Sequence, residues 1–296
     1  MKVVVIGSNG QLGKCMKENQ FPILPDVFDV VYATHDMIDI TEKDSVKSYF
    51  DSIGNDVDFV VNCAAYTDVN KAETDSLSAF KVNVIGPLNL AMACNDLRAM
   101  LIHISTDFIY DGQQNRPYRE DDAANPLSVY GMTKFEGEEI VKSISNEYAI
   151  IRTSWLYSEH GNNFVKKIIE TYKKNPFNGI NVVNNEIGSP TYAGDLAEFI
   201  YTLIIKKVEG SLGDKEVFNY SNQGTISRYD FANAIIGLYD DHPLCKINQI
   251  VCEQPKVKRP FYSAFDLSKS LSYATDIPYY MKSLSKCINK IINREK

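Results

Sequence analysis

The stretch Met1-Lys2-Val3-Val4-Val5-Ile6-Gly7-Ser8-Asn9-Gly10-Gln11-Leu12-Gly13 decides the fold. Val3 to Ile6 is an apolar run without polar alternation, as a strand buried on both faces requires. Glycines follow at once, at positions 7, 10 and 13. They permit a tight turn and a close backbone approach to a pyrophosphate, and a helix starting there points free N–H groups at the negative charge. The spacing is G-x-x-G-x-x-G rather than G-x-G-x-x-G, so its position between strand and helix gives the match its weight; the alternative is a purely structural turn. The leading apolar run is too short for a signal-peptide core, so a cytoplasmic protein is expected.

Outward from this segment the pattern repeats. Val30 to Ala33, Phe59 to Val61, Leu101 to Ile104 and Ala149 to Ile151 are further short apolar runs. Amphipathic stretches separate them, such as Val46, Tyr49, Phe50 and Ile53, with Thr41 and Asp44 resembling a capping box. Alternating strands and helices predict an α/β protein built on a doubly wound parallel sheet. Prolines interrupt the second half. Helices are expected after Thr191, with Leu196, Phe199, Ile200 and Leu203 inward, and after Ser227, with Asp230 completing a capping box. The expected division is a nucleotide-binding domain over 1–150 and a smaller substrate domain over 151–296, with segments crossing back between lobes.

Composition narrows the function. The chain is 44% hydrophobic and 23% charged, with a net charge of −7. A mildly acidic chain without a Lys/Arg cluster speaks against nucleic-acid binding, although local positive charge could grip a phosphate. No uninterrupted apolar run reaches the roughly 18 residues of a membrane span. Six cysteines without a C-x-x-C pair, and four scattered histidines, give no metal-ligand spacing, so no metal is expected and the thiols read as reduced.

The second predicted strand ends Tyr32-Ala33-Thr34-His35-Asp36. Thr34 stands where an acid would bind a ribose 2′-hydroxyl and repel a 2′-phosphate, which favours NADPH. Asp36 could supply the acid instead, so NAD stays open. Asp39 and Ile40 fit an adenine-side contact, with helix capping an equal reading of Asp39. Tyr130-Gly131-Met132-Thr133-Lys134 is a Y-x-x-x-K pair, whose members share a helix face. A lysine ammonium there would lower the tyrosine pKa from about 10. Upstream, Ile104-Ser105-Thr106-Asp107 ends a predicted strand, where ligands bind in open α/β sheets. Thr106 could hydrogen-bond a substrate carbonyl.

With these motifs the chain resembles the extended short-chain dehydrogenase/reductases of Rossmann type, and within them the dTDP-4-dehydrorhamnose reductases. Further carriers are Asn62-Cys63-Ala64-Ala65-Tyr66-Thr67, Lys71-Ala72-Glu73, Arg152-Thr153-Ser154-Trp155, Gly161-Asn162-Asn163-Phe164, Gly188-Ser189-Pro190-Thr191 and Arg259-Pro260. The resemblance implies NADPH-dependent reduction of the C4 keto group of dTDP-4-dehydro-6-deoxy-L-mannose to dTDP-L-rhamnose, in a monomer or homodimer. It places Gly7, Asn9, Gly10, Gln11, Leu12, Gly13, Asp39, Ile40, Ala64, Ala65 and Thr67 along the cofactor. Thr106 and Tyr130 would meet the keto group, and Lys134 the nicotinamide ribose. Asp107, Trp155 and Asn163 would contact the sugar nucleotide, and Arg259 its diphosphate, which suits a planar guanidinium. Asn83 reads either as a water-holding asparagine near the lysine or as a helix-bending core residue.

Several positions depart from that family. Asp68 replaces a small residue, Asn70 an Asp, Asn185-Glu186 an Asp-Gln pair, and Arg228 a Trp. Cys15 stands where some members carry a metal-binding glutamate, so no metal is carried over. Phe108 follows the Thr-Asp pair where dehydratases place a Glu; phenylalanine moves no proton, which argues against dehydration. A C4 epimerase and a non-catalytic NADP-binding regulatory subunit are the competing readings.

Overall fold

The five apolar runs become strands β1 (Lys2–Ile6), β2 (Asp29–Ala33), β3 (Val57–Asn62), β4 (Met100–Thr106) and β5 (Tyr148–Thr153) in a computed structural model. It describes residues 1–295 except 24–25, 175, 241, 252–255 and 275; Cys252 therefore lies outside the described residues. A sixth strand, Lys215–Tyr220, comes from the second half of the chain. All pair in parallel, in the order Lys215–Tyr220, β5, β4, β3, β1, β2. The fold is thus the expected doubly wound sheet. The missing polar alternation has its reason in the packing. Val3, Val5 and Val61 face Leu196, Phe199 and Ile200 of helix Ala193–Val208, while Val4, Ile6 and Val60 face Val46, Phe50 and Leu90 on the other side.

The helix after β1, α1 (Gln11–Ile23), packs beside Ala193–Val208 on one face. The helix after β2, α2 (Lys43–Ile53), lies on the other. Its expected capping box is absent: the N-cap is Glu42, without a side-chain bond. Thr41 instead donates its N–H and hydroxyl to Asp39 Oδ1, at 2.9 and 2.8 Å. Asp39 is spaced two residues from Thr41 and closes an Asx turn, which competes with helix initiation. The box at Ser227 does form, with Ser227 Oγ accepting from Asp230 N–H at 3.0 Å.

The helical run Ser76–Leu97 is long and apolar enough to cross a bilayer by length and composition. Here it is a core helix, half buried against the protein, and it contains a π-helical turn at Lys81–Ile85. The second lobe has its own core, formed by Ile168, Ile169, Phe231, Ile235, Leu284 and Ile288 from helices Phe164–Lys174, Arg228–Tyr239 and Tyr280–Glu295. Strand Lys215–Tyr220 and helix Ala193–Val208 return to the sheet, so the chain crosses between lobes after residue 150.

Candidate active site

The strand order reverses between β1 and β3, and ligand crevices in open sheets form there, beyond the strands' carboxyl ends. Gly7 sits at that point with a positive φ of 77°. A β-carbon on it would lie 2.7 Å from the Ala64 backbone nitrogen, and one on Gly13 only 2.5 Å from Ser8 Cα. The absent side chains let the first turn fold down onto the end of β3. The result is a cavity of about 350 Å³ whose lining includes Gly7, Asn9, Gly10, Asp39, Ile40, Ala64 and Ala65. Seven expected cofactor residues are thus brought to one place.

Gln11, Leu12 and Thr67 are not among the residues lining that cavity, although Gln11 and Leu12 open the helix that follows Gly10. Leu12 is buried in the core and Thr67 is exposed on the following loop. Gln11 bridges lobes: its Nε2 donates to Leu156 O at 3.3 Å, and its Oε1 accepts from Ser158 Oγ at 3.3 Å and Asn163 Nδ2 at 3.4 Å. Asn163 also donates to Ser158 O and His160 O, and its Oδ1 accepts from Lys166 N–H, which caps helix Phe164–Lys174. Its amide is engaged inside the protein, where its side chain organises a loop.

The residues expected to handle the proton lie on two elements. Thr106 and Asp107 end β4; Tyr130 and Lys134 sit on helix Val129–Ile144. Ser128 caps that helix by accepting Gly131 N–H at 3.2 Å, and Glu73 accepts Val129 N–H at 2.9 Å. The Thr106 hydroxyl donates to Asp107 Oδ1 at 3.2 Å and lies near enough to the Tyr130 phenol to favour its charged form. Burial pushes the Tyr130 phenol up to about 12, with only Thr106 pulling back. The expected lowering by Lys134 is not found: desolvation of a phenolate, with the Asp107 charge adding to it, keeps Tyr130 protonated. Lys134 is buried and donates to Ile104 O at 2.6 Å; desolvation lowers its ammonium to about 8. Its Nζ lies 3.4 Å from Nε2 of His103, a fully buried ring whose Nδ1 faces Asn62 Nδ2 at 3.2 Å. Burial holds His103 well below its usual pKa and hence neutral.

Two features escaped the sequence. Glu138 continues the Tyr130, Lys134 spacing by one more turn and meets Arg152 of β5, with Arg152 Nη2 2.9 Å and Nε 3.1 Å from Glu138 Oε2. Ser105 donates to the same carboxylate, and Arg152 Nη1 donates to Tyr110 Oη at 2.8 Å. This buried cluster fixes helix Val129–Ile144 on the sheet; the i+4 spacing was the available signal. His103, a histidine inside an apolar strand run, was the other. Asn83 lies in the π-helical turn, and its amide ties that turn to a loop and to helix Val129–Ile144. Its Oδ1 accepts Tyr66 N–H at 2.9 Å, and its Nδ2 donates to Tyr66 O and Thr133 Oγ1.

Beyond Thr106 a further group of polar and aromatic side chains comes together. Asp107 is buried, its Oδ2 has no hydrogen-bond partner, and desolvation raises its pKa to about 6. Trp155 has a φ of 46°, a left-handed conformation costing a bulky side chain about 1–3 kcal/mol. The Arg228 guanidinium carbon lies 3.5 Å above its ring centroid. Arg259 Nη2 donates to Asn70 Oδ1 at 3.4 Å.

A family model described as RmlD substrate binding domain matches residues 1–293. A dTDP-4-dehydrorhamnose reductase from Aggregatibacter actinomycetemcomitans is 35% identical over 276 residues, 90% of this chain and 91% of its own. The chain belongs to the dTDP-4-dehydrorhamnose reductase family. Two solved structures agree with this reductase fold. The dTDP-4-dehydrorhamnose reductase of Bacillus anthracis in complex with NADP has a TM-score of 0.88 at 33% identity, covering 98% of this chain and 99% of that one. The ortholog from Clostridium acetobutylicum has a TM-score of 0.87 at 34% identity, covering 99% and 100%.

Against the reductase family pattern, the departures acquire physical meaning. Asp68 accepts Lys71 N–H at 2.9 Å and caps the short helix Val69–Ala72. Asn70, a neutral amide in place of an acid, leaves the Arg259 charge without a carboxylate at that contact. Near Cys15, Glu159 and His160 bring their ligating atoms within 4.8 Å of one another and of the thiol. Lys290 Nζ is already 2.7 Å from Glu159, and burial holds the Cys15 thiol protonated, up to about 12. A cation there would have to displace the ammonium and deprotonate the thiol.

Proposed function

We propose that this chain is an NADPH-dependent reductase that converts the C4 keto group of dTDP-4-dehydro-6-deoxy-L-mannose to the hydroxyl of dTDP-L-rhamnose, and that it works in the cytoplasm. The observation that carries this reading is the meeting of Thr106, Tyr130 and Lys134 at the strand ends beside the glycine turn. The turn fits a dinucleotide: the missing β-carbons at Gly7 and Gly13 and the cavity of about 350 Å³ supply backbone approach and room. Gly7, Asn9, Gly10, Asp39, Ile40, Ala64 and Ala65 would hold it, and Thr34 in place of an acid suits a 2′-phosphate. Bound NADPH supplies the hydride for C4.

The chain's own residues handle the proton. Thr106 and Tyr130 offer hydroxyl donors to the carbonyl oxygen and polarise it. Tyr130, held protonated by burial, transfers its proton to that oxygen as negative charge develops. Lys134, an ammonium at neutral pH on the same helix, would hold the nicotinamide ribose. The Phe108 ring packs edge-on against Tyr130, with centroids 5.4 Å apart, so no base stands where dehydration needs one. The test is NADPH consumption on the dTDP-4-keto sugar, with product identification by NMR. Steady consumption yielding dTDP-L-rhamnose is expected. Tyr130→Phe should lower turnover by about 10²–10⁴-fold with an unchanged circular dichroism spectrum; a folded Tyr130→Phe protein with normal turnover would refute the mechanism. Cofactor binding without consumption would favour a regulatory subunit.

A further inference from the structure

Two of the departures turn out to be partners. Arg228 Nε lies 3.5 Å from Glu186 Oε2, and Arg228 N–H donates to Glu186 O at 3.0 Å. Both side chains are largely buried, at 13% and 16% exposure. The guanidinium lies flat on Trp155, 3.5 Å from the ring centroid, with the Phe164 centroid 5.0 Å away. The Nε1 side of the indole is packed against Gly188, where a β-carbon would come within 2.8 Å. One face of Trp155 is therefore covered by arginine, and a sugar ring cannot stack on that face.

Trp155 and Glu186 hold the guanidinium from its face and its Nε side. Among the described residues, its terminal nitrogens donate to no hydrogen-bond partner within the protein. Donors without a protein partner at a partly exposed site are open to a ligand's oxygen atoms as well as to water. Asp107, one residue beyond Thr106, is close enough to interact electrostatically with Arg228, and it offers the unpaired acceptor Oδ2. Hydroxyl groups both donate and accept, so this pair matches them. Glu186 and Asp107 set negative charge beside Arg228, which weakens its draw on an anion, while Arg259 stands near as a second cation. Arg259, bonded to a neutral amide, is the better diphosphate ligand.

We propose that Arg228, cushioned on Trp155 and aimed by Glu186, is a specificity-determining residue that binds hydroxyl oxygens of the nucleotide-linked sugar. The inference rests on the functional reading above. It is tested by calorimetric titration of the NADP-loaded protein with dTDP-L-rhamnose and with dTDP. Arg228→Ala is expected to weaken dTDP-L-rhamnose binding about tenfold or more while leaving dTDP binding nearly unchanged. Arg228→Lys should recover part of the loss, since the charge returns without the fork. Glu186→Gln should lie between Arg228→Ala and the wild type. Arg259→Ala should weaken both ligands alike. Unchanged NADP affinity in each variant reports intact folding. Wild-type-like binding of dTDP-L-rhamnose by Arg228→Ala overturns this inference alone. An equal loss for dTDP also overturns it, and reassigns Arg228 to the diphosphate. If the wild-type protein binds dTDP but not dTDP-L-rhamnose, the functional reading fails and this inference with it.

Discussion

The proposed nucleotide end and the proposed sugar end of the site are built by different means. At the nucleotide end the determinants are consecutive: β1, three spaced glycines and α1 occupy one short segment, and the feature they create is made of backbone. At the sugar end, Asp107, Trp155, Glu186, Arg228 and Arg259 come from five separate segments and act through side chains. Backbone sites tolerate little and read plainly from sequence. Side-chain sites can be rebuilt by paired substitutions, as Glu186 with Arg228 illustrates, and so carry specificity that single positions do not disclose.

This contrast can be broken from the platform the two ends share. Glu138→Ala would leave Arg152 buried without its carboxylate and is expected to cost about 3–5 kcal/mol, read from denaturant unfolding. A loss below 1 kcal/mol would mean that the cluster does not anchor the catalytic helix. Gly13→Ala is expected to lose about 1–3 kcal/mol of stability through overpacking against Ser8, with NADPH titration no longer saturating. dTDP binding should survive, because the sugar end does not depend on that turn; loss of both would make the two ends one cooperative unit.

A third probe is pH. Lys134 is an ammonium below its pKa of about 8 and neutral above it, whereas Tyr130 stays protonated to about 12. For reduction, kcat/KM should therefore be flat through neutrality and fall as pH rises past about 8, by up to about tenfold per pH unit. A profile that rises with pH would place a phenolate, not a phenol, in the free enzyme. His103→Leu is not a neutral change here, since the ring lies against Lys134; Asn163→Ala is the milder test. Loss of a helix cap costs about 1 kcal/mol, with KM for the sugar nucleotide nearly constant. A large KM effect would return Asn163 to the substrate.

The sequence by itself determined the sheet, the glycine turn and the Y-x-x-x-K pair. Each follows from local rules: apolar runs without alternation, close-packed backbone, and i,i+4 spacing on one helix face. It also carried the family resemblance, since those motifs keep their order along the chain. The tertiary structure decided what depends on segments far apart meeting. It put strand Lys215–Tyr220 into the first lobe's sheet, and gave Gln11 and Asn163 to each other. It set the Tyr130 phenol high rather than low, because burial is a property of the surroundings and not of the pair's spacing. And it joined Glu186 to Arg228 over Trp155, a contact between residues 42 positions apart in one pair and 73 in the other, which no local pattern encodes.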